Sequence, residues 1–245
     1  MAIRLDTIEG IPAAFLRDLR RSDNLLRGCE CVEQLLRHQE LRRIVTELDQ
    51  LCEAQGIVGY HYTRATPELI GTRGLLTSCG EDRRADFIET YGHLFSAAQL
   101  QRVQRMWSDY FNEHQVRLRD GRVWFNFTLT ALDNGGAERL LTYFGGEQVY
   151  MPLTEDRQIA AILRTIGEPL IVECELNPAS LHTYSQTPWG AIWLSSYHVR
   201  VNKEAMQHDV DSYLQESVLP SRILRIWPAP RRDSARRPHQ HPAWG

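Results

Sequence analysis

The sequence predicts an α+β fold in which a helical segment precedes a set of strands with helices inserted between them. Two observations carry this reading. Residues 11–55 repeat Leu, Val or Ile every three or four positions among charged residues, the period of an amphipathic helix. From Ile57 onward, runs rich in aromatic and β-branched residues alternate with short helical patterns, so the strands cluster late in the chain. There is no internal repeat and no coiled-coil heptad pattern.

The first element, "FLRDLRRSDNLLRGCECVEQLLRHQELRRIVTELDQLCEAQG", reads as helices, interrupted or capped near Asp23 or Asn24 and stopped at Gly56. "IVGYHYT" reads as a strand. "TPELIGTRG" reads as a short helix with Thr66 as N-cap, Pro67 at its first position and Gly74 closing it. Residues 81–118 are helical again, most clearly in "AAQLQRVQRMWSDYFNEHQV". "RVWFNFTLTAL" is expected to be a strong strand. "NGGAERLLTYFGGEQVYMPL" is expected to form a turn, a short helix, a Gly-Gly turn and a strand. "PLIVECELNP" and "GAIWLSSYHVRV" are expected as further strands, and "DSYLQESVLPSRILRIWPAP" as a strand pair or hairpin-like connection. The tail "RRDSARRPHQHPAWG" has no periodicity and reads as disordered. The organisation is therefore a helical subdomain over 1–56, a main domain over 57–228 and a tail over 229–245.

Composition narrows the class. The chain has 245 residues, 42% hydrophobic and 24% charged, with a net charge of −3, ordinary values for a globular protein and no forecast of a polyanion partner. Lys203 is the only lysine, and the arginines are scattered rather than clustered, which points to composition bias more than to a phosphate-binding surface. Five cysteines without metal-ligand pairing suggest reduced thiols, and the C-x-C of Cys29 and Cys31 has no second pair to complete a zinc site. The start, "MAIRLDTIEGIPAAFL", lacks an apolar core of secretory length, and no stretch approaches a membrane helix. The expectation is a cytoplasmic protein without a membrane partner, with delivery into another cell left open.

The usual chemical signatures are missing. There is no Walker loop, no G-x-G-x-x-G after a strand, no H-E-x-x-H and no G-x-S-x-G. No metal is expected. The polar residues His61, Thr63 and Arg64 inside the apolar run "VGYHYTRATPELIGTRGLL" therefore stand out, since a buried strand would fill such positions with Val, Ile or Leu.

That strand, its His-x-Thr and the short helix ending in Gly-Leu-Leu resemble the first conserved block of the ADP-ribosyltransferase superfamily. The order of the later segments supports the likeness: "VWFNFT", "YFGGEQVY", "WLSS" and a late "YLQESVLPSRILRI". The resemblance covers residues 57–227 loosely and leaves out the N-terminal helices and the tail. It implies a split mixed or antiparallel sheet and a mono-ADP-ribosyltransferase, of toxin or effector type, that uses NAD as substrate. It also implies a macromolecular acceptor, protein or nucleic acid, and leaves room for an inhibitory partner. His61 would hold a ribose, Tyr62 would offer backbone groups to nicotinamide, Thr63 would brace the strand, Arg64 would reach the diphosphate, and Tyr143 would stack on nicotinamide with Phe125 and Phe127 behind it.

The chemistry requires a carboxylate. Breaking the nicotinamide–ribose bond develops positive charge on the sugar, which a carboxylate on the ribose hydroxyl stabilises. The resemblance implies a catalytic glutamate at the start of a late strand, which points to Glu216 in "LQESVLPSRI". Glu147 is the runner-up, because Gly145 and Gly146 would allow close approach of a ligand. Glu173 and Glu175 form E-C-E but alternate with Val172, Cys174 and Leu176, which assigns them to a solvated face. The superfamily's Ser-Thr-Ser is met only by Ser195-Ser196. An NAD glycohydrolase of the same fold and a catalytically inactive binding module are the alternatives.

Overall fold

In the computed structural model, which describes residues 2–230, five strands are set among helices: β1 (Ile57–Ala65), β2 (Val123–Phe125), β3 (Glu168–Leu176), β4 (Ser212–Leu214) and β5 (Ile223–Pro228). The class is mixed α+β. One antiparallel sheet has the order β1-β3-β5, and a second pairs β2 with β4. The two sheets meet at one bridge, where Tyr60 N–H donates to Asn126 O at 2.7 Å and Asn126 N–H returns a bond to Tyr60 O at 3.0 Å.

Several elements form for reasons visible in their composition. The Gln39–Gln55 helix buries Leu41, Ile44, Val45, Leu48 and Cys52 on one face and ends at Gly56, whose φ of 83° lies where residues with a Cβ are strained. Pro67 begins the next helix at its first position, although the Thr66 side chain makes no cap. β1 alternates, with Val58, Tyr60 and Tyr62 packing beside Ile171 and Ala137 on one side. Ile57 belongs to the core on the other side, with Val172 and Leu176 of β3.

Four readings need correction. "GAIWLSSYHVRV" lies in a helix, Pro188–Val201, in which every residue from Pro188 to His198 is buried. A helix buried all round has no polar face, so its sequence lacks a 3.6-residue period and looks like a β run. The expected strand after Gly146 is a short helix, Glu147–Tyr150. The "RVWFNFTLTAL" strand is only three residues long, because the chain turns away after Phe125. β4 and β5 do not pair with each other; each finds its partner far away in sequence, β2 and β3.

The Pro188–Val201 helix packs against the Gln39–Gln55 helix so closely that a Cβ on Gly190 would lie 2.0 Å from Val45 O. Thr187 does not cap its N-terminus. Instead Asp49, on the other helix, accepts from Trp189 N–H at 2.8 Å and Gly190 N–H at 3.0 Å, satisfying two orphan donors from outside. Burial raises the Asp49 pKa, and the two N–H groups oppose that rise without cancelling it.

Residues 2–56 therefore share one core with the rest of the fold. Leu26, Leu35 and Leu48 lie with Trp193, Ile192 and Val172, each such side chain contributing roughly 1.5–3 kcal/mol through burial. Ile3 also bridges Ile57 in parallel. Deleting residues 2–56 is expected to leave insoluble or molten protein, read by size exclusion and near-ultraviolet circular dichroism; a monomer that unfolds cooperatively would show a separable module. At the other end, Ala229 is buried and donates to Pro169 O at 2.8 Å, so the fold runs past residue 228. The expected disorder of the tail concerns, from residue 231, positions outside the described residues. Among the described residues no helix is long and apolar enough to cross a membrane.

Candidate functional site

His61 lies on β1 on the side opposite Tyr62, half-buried, with its ring centroid 5.9 Å from that of Phe125. Nδ1 lies 2.9 Å from Trp124 O, and a carbonyl only accepts, so Nδ1 carries the proton in that bond. Burial lowers the His61 pKa to about 4, against the Trp124 carbonyl, which raises it, and with the Arg83 charge, which lowers it further. The ring is neutral at pH 7, and Nε2 is left as an acceptor.

Arg83, on the Gly80–Tyr91 helix, is the positive neighbour that sequence reading missed. Its Nε donates to Ser78 Oγ at 2.5 Å and its guanidinium also donates to Leu76 O, so a hydroxyl and a carbonyl hold it rather than a carboxylate. Burial works against its charge, and Asp86 and Asp120 work for it. Nothing in "SCGEDRRADF" distinguishes this arginine from the others; only its electrostatic effect on His61 in the folded chain does.

The segment that holds Arg83 is bonded to the connection that carries Glu216. Leu75 and Val218 exchange backbone bonds at 2.9 and 2.8 Å, and Thr77 N–H donates to Ser217 Oγ at 2.9 Å. Hydrogen bonds thus lead from Arg83 through residues 75–78 to Ser217, next to Glu216. Glu216 itself is exposed, in the connection between β4 and β5.

The other predicted site residues go elsewhere. Tyr62 is buried, and its hydroxyl donates to Thr128 O at 3.1 Å. Thr63 is half-buried on the His61 side of β1. Arg64 does not reach out for a diphosphate, because its guanidinium donates to Ile166 O at 2.8 Å and Gly167 O at 3.0 Å, clamping the turn before β3. Tyr143 belongs to a different core cluster, with Phe144, Val149 and Tyr150, and Phe125 and Phe127 are not behind it. Glu147 is exposed and pairs with Arg119 at 3.0 Å. Gly145 and Gly146 have φ of 93° and 70°, so the turn into the Glu147 helix accounts for them without a ligand.

Glu173 is not on a solvated face. It is 3% exposed and paired with Arg4, because both faces of β3 are covered, one of them by the N-terminal stretch. Tyr60 shares that network, receiving a bond from Arg4 at 3.1 Å and donating to Asp6 at 2.6 Å. Ser195 and Ser196 are inside the Pro188–Val201 helix, where Ser195 Oγ accepts from His208 N–H at 2.7 Å and Ser196 Oγ donates to Leu5 O at 2.5 Å.

Two clefts, of about 370 and 350 Å³, lie away from His61. The first is polar and is lined by Glu33, Asn126, His208, Asp209 and Asp211 among others. Burial raises the Asp209 pKa to about 6, opposed by hydrogen bonds from Thr128 Oγ1 and from the N–H groups of Phe127, Thr128 and Val210. The second cleft holds Tyr143.

These shifts have opposite signs in stability. Between pH 6.5 and about 4 the unfolded chain protonates at His61 while the fold resists, so this group lowers stability as pH falls. Asp209 takes its proton more readily when folded, so it raises stability as pH falls through about 6 toward 3.8. A two-dimensional imidazole NMR titration is expected to show the Nδ1–H tautomer of His61 with a midpoint near 4; a midpoint near 6.5 would rule out the desolvated, carbonyl-bound ring.

Compared with protein families, with curated proteins and with solved structures, the chain matches none.

Proposed function

We propose that this protein is an NAD-dependent mono-ADP-ribosyltransferase. The observation that carries the reading is a neutral histidine of fixed tautomer that feels the charge of an arginine with no carboxylate within ion-pair distance among the described residues. His61 Nε2 accepts a ribose O–H, and Arg83, in place of Arg64, faces the diphosphate of NAD. Glu216 accepts a hydrogen bond from the ribose hydroxyl next to the breaking bond and stabilises the positive charge that develops there. Nicotinamide leaves with the bonding electrons, and a nucleophile of the acceptor takes its place on the ribose carbon.

The test uses the purified full chain with NAD labelled in the adenylate phosphate, with and without cell lysate. Nicotinamide release together with label on a macromolecule supports transfer. Release without macromolecular label would make the protein an NAD glycohydrolase. No NAD consumption in either condition, with the chain demonstrably folded, would leave the inactive binding module.

A further inference from the structure

We propose that the cleft around Tyr143 is a binding site for a compact phosphate-type anion such as a phosphomonoester, separate from the His61 region and independent of the ADP-ribosyltransferase reading. The cleft, about 350 Å³, is bounded by the Glu138–Thr142 helix, Tyr143, the turn at Thr154 and Arg164. Two arginines enter it from separate elements, and among the described residues no acid pairs with either. Arg164 donates to Tyr143 Oη at 2.8 Å, with its guanidinium carbon 5.1 Å from the Tyr143 ring centroid. Arg139 donates to Thr154 Oγ1 at 2.9 Å and lies 5.7 Å from the Tyr150 ring centroid.

Two other exposed arginines are instead held by acids. Arg43 is pinned by Glu40 and Glu47 at 2.9 and 2.6 Å, and Arg102 by Asp156 at 2.9 Å. At the Tyr143 cleft, Glu138 and Glu155 line the same walls, yet neither comes within ion-pair distance of Arg139 or Arg164. Neutral partners orient both guanidinium forks and leave their charge uncompensated. A guanidinium has five N–H donors, so most remain for a ligand, and Tyr143 Oη, which accepts from Arg164, keeps its own proton to donate. Two forks and a phenol converging on one cleft match the oxygens of a tetrahedral oxyanion. The two glutamates repel an extended polyanion, so the fit is to a small ligand whose charge is concentrated between the arginines.

The test is isothermal titration of the full chain with inorganic phosphate and with phenyl phosphate at constant ionic strength. Phosphate alone binding as well as phenyl phosphate identifies a free oxyanion as sufficient; tighter binding of phenyl phosphate identifies an ester with a ring on Tyr143. Either is expected to be saturable and to weaken about tenfold in Arg139→Gln and in Arg164→Gln, the scale of losing one charge-assisted contact. Tyr143→Phe keeps the ring and removes the donor, and is expected to weaken binding by a smaller factor. Glu216→Gln is expected to leave it unchanged, which separates this site from the proposed NAD site. Thermal unfolding of each variant identifies any loss of fold. No saturable binding of either probe by the folded chain, or binding that survives Arg139→Gln combined with Arg164→Gln, overturns the proposal.

Discussion

Glu216→Gln is expected to lower NAD cleavage by ~10²-fold or more while NAD still binds, the scale for losing one preorganised electrostatic contact to a transition state. The side chain is exposed, so thermal unfolding should move by no more than ~0.5 kcal/mol, and the variant separates chemistry from folding cleanly. Glu147→Gln is the matched control. Its carboxylate sits on the surface beside Arg119, an ion pair worth about 0–1 kcal/mol, and its loss should leave turnover within about twofold. Should Glu147→Gln abolish cleavage while Glu216→Gln keeps it, the roles are reversed. Should neither variant change a measured activity, the carboxylate mechanism fails.

Gly190→Ala is expected to produce the largest loss of stability of any single methyl addition in the two-helix contact, about 3 kcal/mol or more. The added carbon would fall 2.0 Å from Val45 O, a backbone atom that cannot rotate away. Relief requires the Pro188–Val201 helix to move off the Gln39–Gln55 helix, which also lengthens the bonds from Trp189 and Gly190 to Asp49. At this chain length the melting temperature should fall by roughly 6–12 °C. Gly71→Ala provides the contrast, because a carbon there meets nothing within 4 Å and a helix prefers alanine. It should be neutral or stabilise by up to ~1 kcal/mol. Equal behaviour of the two variants in calorimetry would mean that the helices are not in the close contact described.

Legibility in the sequence tracks physical range. β1 and the Gln39–Gln55 helix are legible because a strand's alternation and a half-buried helix's period are local patterns, and Gly56 marks the break between them. The Pro188–Val201 helix is not, since complete burial erases the period that identifies a helix. Glu173 defeats local reasoning for a related reason: its partner, Arg4, lies 169 positions earlier. Of the candidate site, His61 is visible as a polar residue in an apolar run. Arg83 is hidden, because its effect on His61 arises only from the folded arrangement, between residues 22 positions apart in sequence. Arg64 misleads, because an arginine that clamps carbonyls and one that awaits an anion are spelled alike.

The contact between Asp49 and the start of the Pro188–Val201 helix spans 140 residues, and it affects how the protein is made. At a translation rate of about 5–20 residues per second, the Gln39–Gln55 helix leaves the ribosome roughly 7–30 s before the helix that covers it. During that interval Leu41, Ile44, Val45 and Leu48 have no permanent neighbour from the later helix, and a helix of this length is marginal alone in water. The nascent chain is thus exposed to aggregation through its first quarter, and its yield in a cell should depend on holdase chaperones and on the speed of elongation more than on the stability of the finished fold.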